Sequence, residues 1–367
     1  MPTPTLRIAA VGDISLGDHP VRAGFGTRKL LSKRRAELLK DVKDLIGKAD
    51  LTIGNLETVA SDIGYDPGSI ASHEMRGSPS SVSILKESGF DILGFANNHA
   101  MHHGRDAFID TVRNLRNEGL EVIGLEEVPG RTNLYVADGP GGTQTCFFAV
   151  SMRPEERAEG PLPYSQRESE EKIINEVLEI RETQNGFIIC FLHWGLEFLD
   201  YPSPDQRRFA HRLIDAGVDV IIGHHSHVLQ PYEYHNDGLI CYSLGNFLFD
   251  LWNPEFKETV IAFITLQEGV RPEICFEPVV IGEDCALMVP SSAADSNRIY
   301  NRLDPSTPKT LSDSLISHEE YEAIYRKKEL EFRYSSYKFF IKNIFRYPMV
   351  FVYQSLLRTL FRRLSGE

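Results

Sequence analysis

Five short apolar runs, each followed directly by a polar motif, constrain the fold of this chain more than any other feature. The runs are Leu6–Val11, Leu51–Ile53, Ile92–Ala96, Phe187–Leu192 and Val218–Ile222, and their motifs read Gly-Asp, Gly-Asn-Leu-Glu, Asn-Asn-His, His-Trp-Gly and Gly-His-His-Ser-His. Stretches with helical spacing separate most of these runs. This alternation is typical of a mostly parallel sheet, in which functional side chains collect beyond the carboxyl ends of the strands. One polar ending could be an ordinary turn, but five predict a shared site.

The last of these motifs places three histidines within four positions. Neutral imidazole is the commonest metal ligand among side chains. His225 and His227 form a His-x-His pair that a tight loop can direct into one cavity. A histidine-rich surface loop is the alternative for this motif alone, and the other four motifs favour the metal site. His224 is predicted to point away from that cavity.

The charge of the chain narrows the range of its partners. Its 367 residues carry a formal net charge of -13. Nucleic acid is therefore not expected as a partner, because phosphate backbones favour basic surfaces. An anionic substrate is compatible with this charge where metal ions supply positive charge locally. The first residues do not resemble a secretory signal, and no apolar run of about 18 residues occurs, so the sequence predicts a cytoplasmic protein.

The five motifs together supply carboxylate, carboxamide and imidazole donors, and these come from Asp13, Glu57, Asn98, His99, His193, His225 and His227. This mixture suits borderline divalent ions such as Zn, Mn or Fe rather than a thiolate site. Two ions about 4 Å apart would need a bridging carboxylate, which Glu57 or Asp13 could provide. Such ions polarise a phosphoryl or carbonyl oxygen and lower the pKa of a bound water. A histidine nearby can then protonate the leaving group.

The same motifs, in the same order, resemble the signature set of the CapA/PgsA capsule-synthesis proteins. The matching segments are Val11–Asp13, Gly54–Glu57, Ala96–His99, His193–Gly195, His225–Val228 and Tyr242–Phe247. The resemblance implies a calcineurin-like metallophosphoesterase fold, which is an α/β layered sandwich. It also implies a link to the assembly of capsule or poly-γ-glutamate.

Carried over by position, the resemblance implies three kinds of site residue. The ligand candidates for one or two divalent ions (Mn, Zn or Fe) are Asp13, Glu57, Asn98, His193, His225 and His227. His99 is implied as the acid beside the leaving group, and Arg76 as a clamp for phosphate or carboxylate. The candidates for substrate binding are Asn55, Asn97 and Asn246. For Asn98 and Asn246 the alternative is an ordinary turn former.

Three positions depart from the pattern of the family or of its superfamily. Metallophosphoesterases usually have a histidine where this chain has Ser15, and a bridging aspartate where it has Glu57, so one metal position could be weak or empty. The family also tends to have an aspartate where this chain has His102. His102 and His103 are predicted to be solvated loop residues, although His102 could instead add a nitrogen ligand.

The sequence changes character after about residue 286. Residues 1–286 are predicted to form the CapA-like domain, 287–316 a linker or a loop draped over it, and 317–367 a helical extension. From Phe332 onward the extension is aromatic and basic, with no acidic residue before Glu367. A cationic amphipathic helix suits an anionic membrane surface, here the inner membrane, or a synthase partner. The alternative is a helical hairpin packed on the domain, with its basic face in water.

Two functions follow from these observations. The first is a metal-dependent hydrolase, in which metal-activated water attacks a phosphoester or a related bond during synthesis of capsule, poly-γ-glutamate or surface polysaccharide. The second is a non-catalytic capsule-assembly factor that binds an anionic polymer or a synthase partner.

Overall fold

The computed structural model describes residues 5–126, 134–139, 142, 144–155, 157, 160–306 and 316–365, with backbone alone for Ala36 and for 360–365. The strands are β1 Thr5–Ile14, β2 Leu51–Leu56, β3 Val59–Ala60, β4 Arg76–Gly77, β5 Ile92–Gly94, β6 Glu121–Ile123, β7 Leu134–Asp138, β8 Gln144–Ser151, β9 Phe187–His193, β10 Val220–His224, β11 Tyr232–His235, β12 Gly238–Cys241, β13 Asn246–Leu248, β14 Glu258–Gln267, β15 Val270–Ile281 and β16 Leu287–Met288. The helices are α1 Thr27–Leu38, α2 Lys40–Ile46, α3 Ile70–His73, α4 Ser83–Glu87, α5 Gly104–Asn117, α6 Glu170–Thr183, α7 Pro204–Asp215, α8 Ala293–Leu303, α9 His318–Lys342 and α10 Met349–Ser365.

The strands form two large sheets and one small one. The first large sheet has the order β16-β15-β14-β1-β2-β5-β6, with β13 also paired to β1, and the second has the order β11-β12-β10-β9-β8-β7. In the first sheet β1, β2, β5 and β6 run parallel, whereas β14, β15 and β16 pair in antiparallel fashion. In the second sheet β8, β9, β10 and β12 are parallel, and β7 and β11 are antiparallel edge strands. Strands β3 and β4 form the small sheet.

One part of the core lies between the two large sheets, and another lies between the second sheet and helices α6 and α7. Strands β9 and β10 contribute apolar side chains to both parts. Ile189, Phe191 and Ile222 belong to the cluster shared with the first sheet. Their neighbours Cys190 and Ile221 belong to the cluster formed with α6 and α7. A strand buried on both faces has to be apolar along its whole length, which explains the unbroken runs in the sequence. The structure confirms the predicted α/β layered sandwich with a helical C-terminal extension.

Two segments differ from the sequence-based expectation. Apolar residues recur at helical spacing over Lys33–Ile46, which by itself predicts one helix. In the structure α1 ends at Leu38 and α2 begins at Lys40, because Leu39 has φ -112° and ψ 7°. Within the predicted linker, residues 293–303 form α8, which begins at a Ser292 cap and buries Ile299 and Leu303. Most residues of that segment are polar, so the helical spacing of Ile299 and Leu303 was not recognised in the sequence.

The C-terminal extension packs on the domain through aromatic side chains. The ring of Phe339 stacks on Trp252 with centroids 4.5 Å apart, and Tyr347 meets Phe25 edge-on at 4.7 Å. Phe351 is buried with Ala23 and Ile70. This is the packed arrangement that the sequence left as one of two alternatives. Among the described helices, none combines the length and apolarity that crossing a bilayer requires.

We expect Phe351→Ala to lower the free energy of unfolding by about 3 kcal/mol, because it leaves a cavity where α10 meets the domain. Tyr353→Ala on the same helix removes a side chain that is 63% exposed, and its effect should stay within about 0.5 kcal/mol. Urea denaturation followed by circular dichroism measures both. Equal effects of the two substitutions would mean that α10 is not docked as described.

Candidate metal centre

The polar motifs of both large sheets meet at the carboxyl ends of their parallel strands. Asp13 at the end of β1 pairs with Asn55 of β2 on one side and with Asn246 of β13 on the other. In the second sheet, His193 at the end of β9 pairs with His224 at the end of β10. Because the two sheets face each other, the strand ends of both contribute side chains to one buried cluster.

Two glycines allow the backbones to approach closely enough for this cluster to form. A Cβ atom on Gly12 would lie 2.1 Å from the carbonyl oxygen of Gly245, so only glycine fits between β1 and the start of β13. A Cβ atom on Gly223 would lie 2.0 Å from the carbonyl oxygen of Tyr242. The glycines of two motifs therefore serve the packing that positions Asp13 and the histidines.

The loop after β10 turns its imidazoles inward through an unfavourable backbone conformation. His225 has φ 89° and His227 has φ 59°, both in the left-handed region that residues other than glycine rarely adopt. The backbone N–H of His225 donates to Oδ2 of Asp13 at 3.0 Å, which fixes this loop to β1. Strained backbone of this kind is characteristic of functional sites, where the surrounding structure stabilises it.

Two groups of potential ligand atoms share one residue, Glu57. In the first group Glu57 lies with His193 and His225, and in the second with Asp13 and His227; within each group the ligand atoms lie within 4.8 Å of one another. The Nε2 atoms of His193 and His227 are 3.4 Å and 3.8 Å from Oε1 of Glu57. The sequence predicted a carboxylate between two metal ions, and in the structure Glu57 belongs to both groups of potential ligand atoms.

The carboxylate of Glu57 is buried, and neither of its oxygens has a hydrogen-bond partner in the described part of the chain. A buried carboxylate normally requires such partners or a cation, because its desolvation is costly. Oxygen and nitrogen donors in this number suit a borderline divalent ion. The residues present therefore fit one or two divalent cations.

Burial and neighbouring charges shift the pKa values of the ionisable side chains in the cluster. Burial raises the pKa of Glu57 well above its ordinary value, and the charges of Asp13 and Glu197 raise it further. Burial also opposes ionisation of Asp13, but contacts with His224, His227 and Asn55 outweigh it and lower its pKa. Burial and neighbouring positive charges lower the pKa of His193 and His225 well below the usual value, so both are neutral and keep a lone pair for a cation.

The three asparagines predicted to bind substrate instead support the ligands from behind. Asn55 Nδ2 donates to Oδ1 of Asp13 at 2.8 Å, and Asn97 Nδ2 donates to Oδ1 of Asn55 at 3.3 Å. Asn246 Nδ2 donates to the carbonyl oxygens of His227 and Phe256. All three side chains are buried and their amides form hydrogen bonds within the protein, and direct contact with a substrate stays a prediction for them.

The orientation of Asn246 also determines the tautomer of His227. Because its amide nitrogen donates to two carbonyl groups, its oxygen faces the ring and accepts from Nδ1–H of His227 at 2.9 Å. The lone pair of His227 is then on Nε2, the atom that faces Glu57. Such a bond behind a histidine is the usual way to orient a metal ligand.

Asn98 and His99 lie at the edge of the cluster, where both are partly exposed. The oxygen of Asn98 is 2.8 Å from Nε2 of His193, within reach of the first ligand group. Burial lowers the pKa of His99 to about 3, so its imidazole is neutral at pH 7. Its Nδ1 lies 3.2 Å from Nδ1 of His102.

Three further histidines, which belong to neither ligand group, make contacts that the sequence did not predict. His224 does not point away, because its Nδ1 lies 3.2 Å from Oδ1 of Asp13. His102 contacts His99, and Nε2 of His103 lies 2.7 Å from the carbonyl oxygen of Glu74, so neither is a freely solvated loop residue. Alternation along β10 would have directed His224 away from His225, but the left-handed turn at His225 breaks that alternation.

Arg76 is not brought into hydrogen-bonding contact with the cluster. Its Nη1 donates to the carbonyl oxygens of Ser61 and Ile63, at 3.0 Å and 2.7 Å, and the residue is buried. A different arginine, Arg153, contributes positive charge that lowers the pKa of His225, and its Nη1 donates to the carbonyl oxygen of Gly195. Its position in the sequence could have identified Arg153. It lies two residues after Ser151, the residue at the end of β8 that pairs with His193.

The profile of the bacterial capsule synthesis protein PGA_cap family matches residues 7–251, which include every ligand candidate. The chain belongs to this family. The capsule biosynthesis protein CapA of Bacillus anthracis is 27% identical over 318 residues, covering 83% of this chain and 74% of that protein. The PGA biosynthesis protein CapA of Bacillus subtilis strain 168 is 29% identical over 307 residues, covering 81% and 77%.

Among solved structures, a 5′-nucleotidase of Candida albicans aligns with a TM-score of 0.47 and 11% identity, covering 92% of this chain and 59% of that one. The PGA_cap family match ends at residue 251, so α8, α9 and α10 lie outside it.

We expect Glu57→Gln to stabilise the metal-stripped protein by about 1–2 kcal/mol at pH 8, because it removes a buried charge without a partner. The pKa of Glu57 is raised in the folded state, so its contribution to stability is present at low pH and is lost as pH rises above about 4.5. Urea denaturation in a chelator, at pH 5 and pH 8, measures this difference.

Glu258→Gln is the matched control for Glu57→Gln. Glu258 is also buried, but its carboxylate pairs with Arg298 and Arg302. Its neutralisation should therefore lower the free energy of unfolding. If both glutamines destabilise the protein alike, the carboxylate of Glu57 has partners that the described geometry lacks.

Proposed function

We propose that this member of the PGA_cap family is a metal-dependent hydrolase that acts on a phosphoester or a related bond during capsule or poly-γ-glutamate synthesis. The observation that carries the proposal is the carboxylate of Glu57, buried without a hydrogen-bond partner between two groups of ligand atoms. A protein that only packed its core would gain stability from a neutral side chain at this position. The carboxylate of Glu57 has no hydrogen-bond partner among the described residues, and a bound cation would supply the interaction that it lacks.

The proposed site assigns each residue a task. Glu57 with His193 and His225 would hold one cation, and Glu57 with Asp13 and His227 would hold the other. When bound, such ions supply Lewis-acid polarisation and a water of lowered pKa. Hydrogen bonds from Asn55, Asn97 and Asn246 hold these residues in place. Asn98 is partly exposed, so its amide can contact a cation or a substrate.

His99 is the proposed proton donor to the leaving group. It is neutral in the free protein, with a pKa of about 3 caused chiefly by burial. An anionic substrate would favour its protonated form, because an opposite charge nearby raises the pKa of a histidine. His102, whose Nδ1 contacts Nδ1 of His99, limits the orientations of that ring.

Ser15 favours the second function, a non-catalytic assembly factor that binds an anionic polymer or a synthase. Its hydroxyl donates to the carbonyl oxygen of Gly17 at 2.9 Å, so this position supplies no ligand where the wider superfamily usually has a histidine. A site with fewer ligands would bind its cations more weakly. Weak cation binding is compatible with a protein that has the fold of the enzyme but does not catalyse a reaction.

Metal analysis and activity measurements on the purified full chain separate these two functions. We expect near-stoichiometric Mn, Zn or Fe and hydrolysis of a generic phosphodiester. His225→Ala should lose both metal and activity, whereas His99→Ala should keep the metal and lose about a hundredfold or more in turnover. A metal-free and inert wild-type protein would support the assembly factor instead.

His211→Ala is the control for the loss of an imidazole. His211 lies on α7, where its ring stacks on His235 and its Nε2 contacts Glu233, so it belongs to neither ligand group. Its substitution should change neither metal content nor turnover. Full activity of both His225→Ala and His99→Ala would show that the roles are assigned wrongly.

A further inference from the structure

The C-terminal extension has apolar side chains on two faces, and only one of them is covered by the domain. The covered face includes Phe339, Tyr347 and Phe351, which contact Trp252, Phe25 and the cluster at Ala23. A surface helix normally has one apolar stripe and a polar opposite face. The second apolar face therefore calls for a partner other than the domain.

On α9 the second face consists of Tyr334, Tyr337 and Ile341, whose spacing of three and four residues forms one stripe. All three side chains are more than half exposed. Phe345 follows in the turn between α9 and α10 and is 100% exposed. A phenylalanine ring that nothing shields from water is unfavourable, because moving apolar surface out of water lowers the free energy.

On α10 the described apolar side chains that are more than half exposed are Met349, Tyr353 and Leu356, again at helical spacing. Together with the stripe on α9 and Phe345, they form what we term the outer C-terminal surface. Elsewhere in the described ranges, no large apolar side chain is more than 49% exposed. The concentration of exposed apolar groups is thus specific to this segment and is not a general property of the protein surface.

Positive charge accompanies this surface. The segment from Phe332 to Ser365 contains seven basic residues and no acidic one, whereas the whole chain has a net charge of -13. Lys338 and Lys342 are exposed and form no ion pair with any carboxylate in the part of the chain described. The two cations are therefore available to an external anionic group.

We propose that the outer C-terminal surface docks on an anionic lipid bilayer. Charge complementarity identifies the occupant, because residues 332–365 include seven basic residues and no acidic one, while the remainder of the chain is acidic and is repelled by the same bilayer. Tyrosine and phenylalanine side chains enter the interface between headgroups and acyl chains, and lysines extend their charges toward phosphate groups. Docking is peripheral, with Phe345 as the residue that inserts.

Co-sedimentation of the full chain with vesicles tests the proposal. Vesicles of phosphatidylcholine with about one third phosphatidylglycerol should bind the protein, phosphatidylcholine alone should not, and high salt should weaken binding. Lys338→Glu combined with Lys342→Glu should lower the partition coefficient at least about tenfold. Phe345→Ser should lower it about tenfold through the lost apolar insertion.

Matched controls exclude general effects of charge and hydrophobicity. Lys33→Glu combined with Lys40→Glu makes the same change in net charge on exposed positions of α1 and α2, and Leu178→Ser removes an exposed leucine of α6. Both controls should bind vesicles as wild type does, and circular dichroism should show all variants folded.

Several outcomes would overturn the proposal. They are absence of binding, equal binding to neutral vesicles, and equal losses in test and control variants. Self-association that Phe345→Ser abolishes, without lipid binding, would assign the surface to a second copy of the chain. Light scattering of the wild type and of Phe345→Ser detects that case.

Discussion

The buried carboxylate of Glu57 is the interaction on which the arrangement of the site depends. Its oxygens accept no hydrogen bond from the described residues, and its neighbours include the carboxylate of Asp13 and the neutral imidazoles of His193 and His225. In such surroundings a carboxylate gains stability either from a proton or from a cation. The folded chain therefore holds a buried carboxylate whose surroundings suit a cation, and this carboxylate lies where the ends of the two sheets meet.

What keeps the position rigid is a layer of amides and backbone groups behind the ligands. Asn55, Asn97 and Asn246 are fully engaged with Asp13, with each other and with His227, so the ligand atoms face inward in a fixed orientation. Rigid placement matters because ligand groups misplaced by about 1 Å lose much of their effect. The strained backbone at His225 and His227 is the cost of directing two neighbouring imidazoles into one small space.

The sequence predicted the fold class and most strand positions because strands buried on both faces must be apolar throughout. It also predicted which strand ends converge, since parallel strands end at one edge. It did not predict the tasks of the asparagines or the contact of His224 with Asp13, because these depend on side-chain directions that a left-handed turn alters. Arg76 was assigned to an anion from its position in the family pattern, whereas in the structure it donates to the carbonyl oxygens of Ser61 and Ile63.

Contiguous contacts connect the C-terminal extension with the ligand loop. Phe332 of α9 stacks on Phe198 with centroids 4.5 Å apart, and the backbone N–H of Phe198 donates to the carbonyl oxygen of Ser226 at 2.8 Å. Ser226 lies between His225 and His227, and Phe198 itself has φ 69°. The extension thus contributes packing to the loop whose strained conformation orients two ligands. Because a strained loop keeps its shape only while its surroundings hold it, α9 is part of the framework of the site although the family match ends before it.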